Sequence, residues 1–104
     1  MLNPVTIVGG GYQTVTASQS ATVLGHTGAA GDTIYSLLVI PATLVPGSVV
    51  LTDGTLTPFV AFAGGTVASV TPFTIPVNVT SSNGAWKITT GANVSVLASG
   101  NFTY

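Results

Sequence analysis

Apolar residues along this chain come in short runs, and Gly, Pro, Ser, Thr or Asn breaks each run before it reaches helical length. From Tyr12 onward the runs fall at 12–17, 21–25, 33–40, 47–52, 57–63, 74–80, 85–90 and 93–98, with a tail segment near 101–104. Val, Thr and Ile dominate them, while Glu, Lys, Arg and Gln are nearly missing, so each run reads as a β-strand. "TIYSLLVI" (33–40) is almost continuously apolar, as expected of a strand covered on both faces. "KITTGANVSVLAS" alternates in part through Ile88, Val94 and Val96, as expected of a strand with one wet face. Asp53-Gly54 lies between "SVVLT" and "TLTPFV", and Asn83-Gly84 between "IPVNVTSS" and "AWKITT". Both dipeptides favour the positive φ angles of tight hairpin turns. Pro41, Pro46, Pro58, Pro72 and Pro76 are expected at or near strand ends, where a missing N–H does least harm.

About eight short strands with turn signals every ~8–12 residues predict an all-β antiparallel sandwich or jelly roll. Ahead of it, "MLNPVTIV" (1–8) reads as a short extended arm and "GGGY" (9–12) as a flexible break. The organisation expected is therefore an arm with its glycine break over residues 1–11 and one β-sandwich domain over 12–104. No internal repeat of useful length is visible.

Charge changes this picture more than size does. Only 3 % of the 104 residues are charged, against 46 % hydrophobic. The full set is Asp32, Asp53 and Lys87. That balance is the opposite of a disordered chain's. One lysine is not the basic cluster that phosphate binding needs, so nucleic acid is not an expected partner. Two isolated acids do not make a calcium cage, and one histidine without cysteine does not make a zinc site, so no metal or other cofactor is expected. No apolar run approaches the ~18 residues of a spanning helix, and the strands are shorter than the ~9–11 residues of a membrane barrel. The start shows neither a basic n-region nor a long apolar core of a secretory signal. The expectation is a chain made in a cytoplasm, with no membrane partner. Its surface of Thr, Ser, Asn and backbone gives little colloidal repulsion, so its working state is expected to be assembled.

The candidate chemistry is thin. Ser36, His26 and Asp32 are the residue types of a nucleophile, base and orienting acid. No nucleophile-elbow motif accompanies them, and they read more simply as polar residues flanking a strand, with Asp32 capping its own turn. Gly25, Gly28 and Gly31 resemble a phosphate cradle, but Asp32 stands where a P-loop has its lysine, and an acid repels phosphate. Trp86 is either a stacking platform for a sugar or a core residue. Strand alternation puts it on one face with Ile88, which favours the core and leaves Lys87 on the other face to meet an acid or a loop carbonyl.

The stretch "TGAAGDTIYSLLVIPATLVPGSVVLTDG", then "FAGG", then "IPVNVTSSNGAWKITTGANVSVLASGNF" resembles a small β-domain of tailed-bacteriophage virion proteins, the capsid-decorating (cement) and head-fibre type. The likeness spans roughly residues 25–103 and rests on turns: Gly-Ala-Ala-Gly-Asp leading into a strand, Pro46-Gly47, and Gly-Ala-Trp-Lys followed by Thr-Gly-Ala-Asn. The resemblance implies a sandwich or jelly-roll protomer, commonly trimeric, that clamps neighbouring subunits of the major capsid protein on the virion surface. It implies no enzymatic activity. The first candidate for docking is the arm, through Leu2, Pro4, Val5, Ile7 and Val8, because an apolar extended segment can add a strand to a partner's sheet edge. The alternative is a glycan- or host-surface-binding module of a tail or fibre protein, stacking sugars on Trp86, Tyr12 or Tyr35.

Overall fold

The computed structural model describes residues 10–25 and 29–103. The arm residues Leu2, Pro4, Val5, Ile7 and Val8, together with His26, Gly28 and Tyr104, lie outside them. The described residues form eight strands and no helix: β1 (Gly10–Val15), β2 (Thr22–Val23), β3 (Thr33–Pro41), β4 (Val49–Asp53), β5 (Phe59–Phe62), β6 (Phe73–Thr80), β7 (Trp86–Thr90) and β8 (Val94–Asn101). They make two four-stranded antiparallel sheets, ordered β1-β8-β3-β6 and β2-β7-β4-β5. The expected all-β sandwich is present.

Period-2 alternation assigns the two faces. Along β7 and β8 every second residue is buried, so Trp86, Ile88 and Thr90 point inward with Val94, Val96, Ala98 and Gly100. β3 contributes Ile34, Leu37 and Val39, β4 contributes Val49 and Leu51, and Val15, Leu24 and Phe102 complete the core. Burying each of these larger side chains is worth about 1.5–3 kcal/mol, and that apolar layer is what holds the two sheets together.

Among the described strands, only the β4–β5 connection stays within one sheet, and every other passes from one sheet to the other. Asp53-Gly54 makes that single hairpin: Gly54 has φ +60°, and Leu56 N donates to Asp53 O at 2.9 Å. Asn83-Gly84 does not make a hairpin, because β6 pairs with β3 while β7 pairs with β2 and β4. A local turn signal cannot report which sheet the next strand joins.

Three further expectations are corrected. No separate tail strand exists among the described residues: β8 runs on to Asn101, and Phe102 then turns into the core, almost fully buried. Gly10 and Gly11, read as part of a flexible break, are ladder residues opposite Asn101 and Gly100. Pro76 lies in the middle of β6 rather than at an end. It is accommodated because β6 is an edge strand and Pro76 sits at a register shift opposite Ser36.

Candidate functional site

The antiparallel alternation gathers the loops at two poles. One pole holds the β2–β3, β4–β5 and β6–β7 connections and the residues after β8, and both acids of the chain lie there.

Asp32 is buried just before β3. Its Oδ2 accepts from Ala29 N and Thr103 N, both at 3.0 Å, and its Oδ1 accepts from the Thr103 hydroxyl at 2.6 Å. The turn cap expected of Asp32 is therefore made, and the same carboxylate also holds the chain 71 residues away. The Asp32 main-chain oxygen accepts from Ser81 N at 2.8 Å and from the Trp86 indole N–H at 3.0 Å. Trp86 therefore has its one polar atom satisfied, and Phe59 packs edge-on against its ring with centroids 6.2 Å apart.

Asp53 ends β4 and performs the same task for a different loop. Its Oδ2 accepts from Ser82 N (2.8 Å) and the Ser82 hydroxyl (3.1 Å), and its Oδ1 accepts from Asn83 N (3.0 Å) and Gly84 N (3.2 Å). The Ser82 backbone N–H, helped by those of Asn83 and Gly84 and the Ser82 hydroxyl, holds the carboxyl below its ordinary value against a smaller opposing effect of desolvation. Asn83 answers in kind, its Oδ1 accepting from Thr55 N (2.8 Å) and the Thr55 hydroxyl (3.0 Å). The two Xaa-Gly dipeptides that read as separate hairpins are two halves of one interlock, packed so closely that a Cβ on Gly54 would lie 2.8 Å from Gly84 N.

Of the residues weighed for catalysis, His26 lies outside the described residues. Asp32 has its oxygens filled by chain donors, and Ser36 sits on β3 opposite Ser99. No pocket opens among the described residues, and no cluster of three or more metal-ligating side chains occurs there. Trp86 is 1 % exposed, which leaves no face for a sugar to stack on. Tyr12 and Tyr35 are exposed on β1 and β3, flanking β8, where the Asn101 amide donates to the Tyr35 hydroxyl.

What the exterior does offer is uncharged contact surface. Leu44, Val45 and Val70 are exposed at the opposite pole, and Leu56, Phe59 and Val60 at the β5 edge. The sequence did not single these out, because scattered apolar residues in Thr-rich segments look like strand interior. No family model, no curated protein and no solved structure matches the chain.

Proposed function

We propose that the chain is a non-enzymatic structural protein of a virion, a capsid cement or decoration protein that binds across subunits of the major capsid protein. The observation that carries this reading is where the charge goes. Two of the three charged side chains are tied to loops of the same molecule, and apart from Lys87 the described exterior left to partners is hydroxyl, backbone and apolar. Such a surface favours permanent contact by packing and neutral hydrogen bonds over free existence or polar chemistry.

The strand order supports a jelly roll. The pairs nest, β1 with β8, β2 with β7, β3 with β6 and β4 with β5, as in one long hairpin rolled into two sheets. That architecture is common in viral capsid domains. On this reading the working form is a symmetric homo-oligomer, with a trimer favoured, and residues 1–8 form the docking arm. Because buried apolar area is barely screened by salt while exposed ion pairs are, the oligomer persists from low salt to molar NaCl.

Mass spectrometry of purified particles tests the reading. The chain is expected in fixed proportion to the major capsid protein, and its absence from intact particles overturns the proposal. Deleting residues 1–8 is expected to lower capsid occupancy, and unchanged occupancy removes the arm from the account.

A further inference from the structure

We propose that the outer face of the β1-β8-β3-β6 sheet is the surface on which a second copy of this chain seats. The inference rests on the homo-oligomer reading above and takes it in two-fold form, because one face meeting the same face of a second copy closes as a symmetric pair, whereas a trimer joins two different patches.

β3 is apolar on both faces although the described residues cover only one. Leu37 and Val39 point into the core, while Leu38 and Ile40 point outward and are only half-buried. The register places Leu38 beside Leu97 of β8 and Ile40 beside Ser95, with Tyr12 of β1 beside Ser99. The centre of the face is thus a Leu38–Leu97 pair, and its rim carries Tyr12, Tyr35 and Pro76. A near-continuous apolar strand is the mark of a sheet packed on both sides.

Charge selects the occupant. None of the four strands of this sheet contains an Asp, Glu, Lys, Arg or His. A charged partner would lose hydration there without gaining a counter-charge. A second copy presents the same neutral, hydroxyl-rimmed surface. The other sheet is less suited to self-contact, because its outward row carries Lys87 beside Thr52, and an isologous contact would oppose two ammonium groups. Size agrees: four strands at ~4.8 Å spacing and about eight residues at ~3.3 Å give roughly 500 Å² per copy. Two copies then bury about 1,000 Å², the lower bound for a specific interface.

The chain has no cysteine, so Leu97→Cys is a clean probe. In the full chain at assembling concentration, maleimide labelling of Cys at 97 is expected to be many-fold slower than after dilution to monomer, whereas Val60→Cys on the other sheet labels equally fast in both. Leu97→Asp and, separately, the rim variant Tyr12→Asp are expected to lower the mass seen by light scattering, with the β circular-dichroism spectrum retained for Tyr12→Asp. An oligomer indifferent to Tyr12→Asp whose Cys at 97 labels freely overturns this face and leaves the oligomer reading standing. A wild-type monomer at every concentration overturns both. If Cys at 97 is protected in the monomer and released by deleting residues 1–8, the chain's own arm covers the face and the proposal fails.

Discussion

The two poles of the sandwich solve the same problem with different chemistry. Both must tie together loops that cross between sheets, so that no backbone group is buried without a partner. At one pole Asp32 and Asp53 collect seven hydrogen bonds from backbone N–H and hydroxyl groups, three and four respectively. At the other pole no charged side chain takes part. Loop 42–48 hydrogen-bonds to its neighbours through main chain alone: Gly47 N to Ala92 O (2.7 Å), Gly91 N to Ser48 O (2.8 Å), Gly65 N to Pro46 O (3.0 Å) and Val67 N to Leu44 O (2.8 Å). Thr90 adds a buried hydroxyl that donates to Thr16 O and accepts from Gln19 N. A pole held by carboxylates depends on side-chain identity and, through Asp53, on pH. A pole held by main-chain contact depends on the absence of side chains.

The sharpest way to break that contrast is to add one methyl group where the main chains touch. A Cβ on Gly47 would sit 2.7 Å from Gly91 Cα and 2.8 Å from Ala92 N, neither of which can swing aside. Gly47→Ala is expected to cost on the order of 3 kcal/mol, lowering Tm by roughly 15 °C. Gly11→Ala is the control: nothing lies within 4 Å of its Cβ position, and its Tm is expected to move little. Equal melting curves for the two variants would show that the close approach is unimportant.

Next in size is Asp32→Ala at the carboxylate pole. It leaves Ala29 N, Thr103 N and the Thr103 hydroxyl without their acceptor, at a cost of about 2 kcal/mol in a urea titration. The Trp86 indole is held by the Asp32 main-chain oxygen, not by the carboxylate. Its fluorescence maximum in the folded state is therefore expected to stay put. A red shift would mean that the carboxylate, rather than the main chain, sets the Trp86 environment.

The same contrast explains which parts of the fold are legible in the sequence. Strand positions are, because period-2 patterning and turn residues are local: the runs at 33–40, 74–80 and 85–90 each lie within a residue or so of β3, β6 and β7. The Asp53-Gly54 turn is also local and forms as read. The distant partners of Asp32 and Asp53 are not legible, since Thr103 and Ser82–Gly84 lie 71 and 29–31 residues away. Asn83-Gly84 misleads for the same reason, its geometry being set by Asp53 rather than by its own dipeptide preference. At the other pole, Gly47 and Gly91 carry no turn signature that announces their mutual contact. Leu38 and Ile40 are the reverse case: a cover on both faces of β3 is legible, and the described residues supply only one.

Asp53→Ala is a smaller perturbation, because the carboxylate is partly exposed and water replaces some of what it gives up. A loss of about 1 kcal/mol is expected, as for an exposed cap. Its pH dependence has a definite sign. The folded carboxyl is held below its ordinary 3.8, so its contribution is complete above the unfolded value and is lost as pH falls from about 4 through the lowered folded value. Wild-type stability is thus expected to drop across that window more steeply than that of Asp53→Ala. Parallel acid limbs would show that the Ser82–Gly84 donors do not favour the charged form.

The smallest effect expected comes from exchanging side chains at the main-chain pole itself. Leu44 and Val45 are 51 % and 59 % exposed, and the part this loop plays in the fold is made by the Leu44 and Pro46 carbonyls. Leu44→Ser and Val45→Thr keep those carbonyls where they are and remove little buried area, so each is expected to change stability by no more than about 0.5 kcal/mol. Both substitutions also leave Gly47, Gly64 and Gly91 to pack as before, with the Gly64 Cβ position only 2.6 Å from Gly47 C. Thermal melts of the two variants beside Gly47→Ala place side-chain and main-chain effects on one scale, within one loop. Should either surface variant lower Tm as much as the glycine variant does, the pole is held by its side chains, and the difference in chemistry between the two ends of the sandwich disappears.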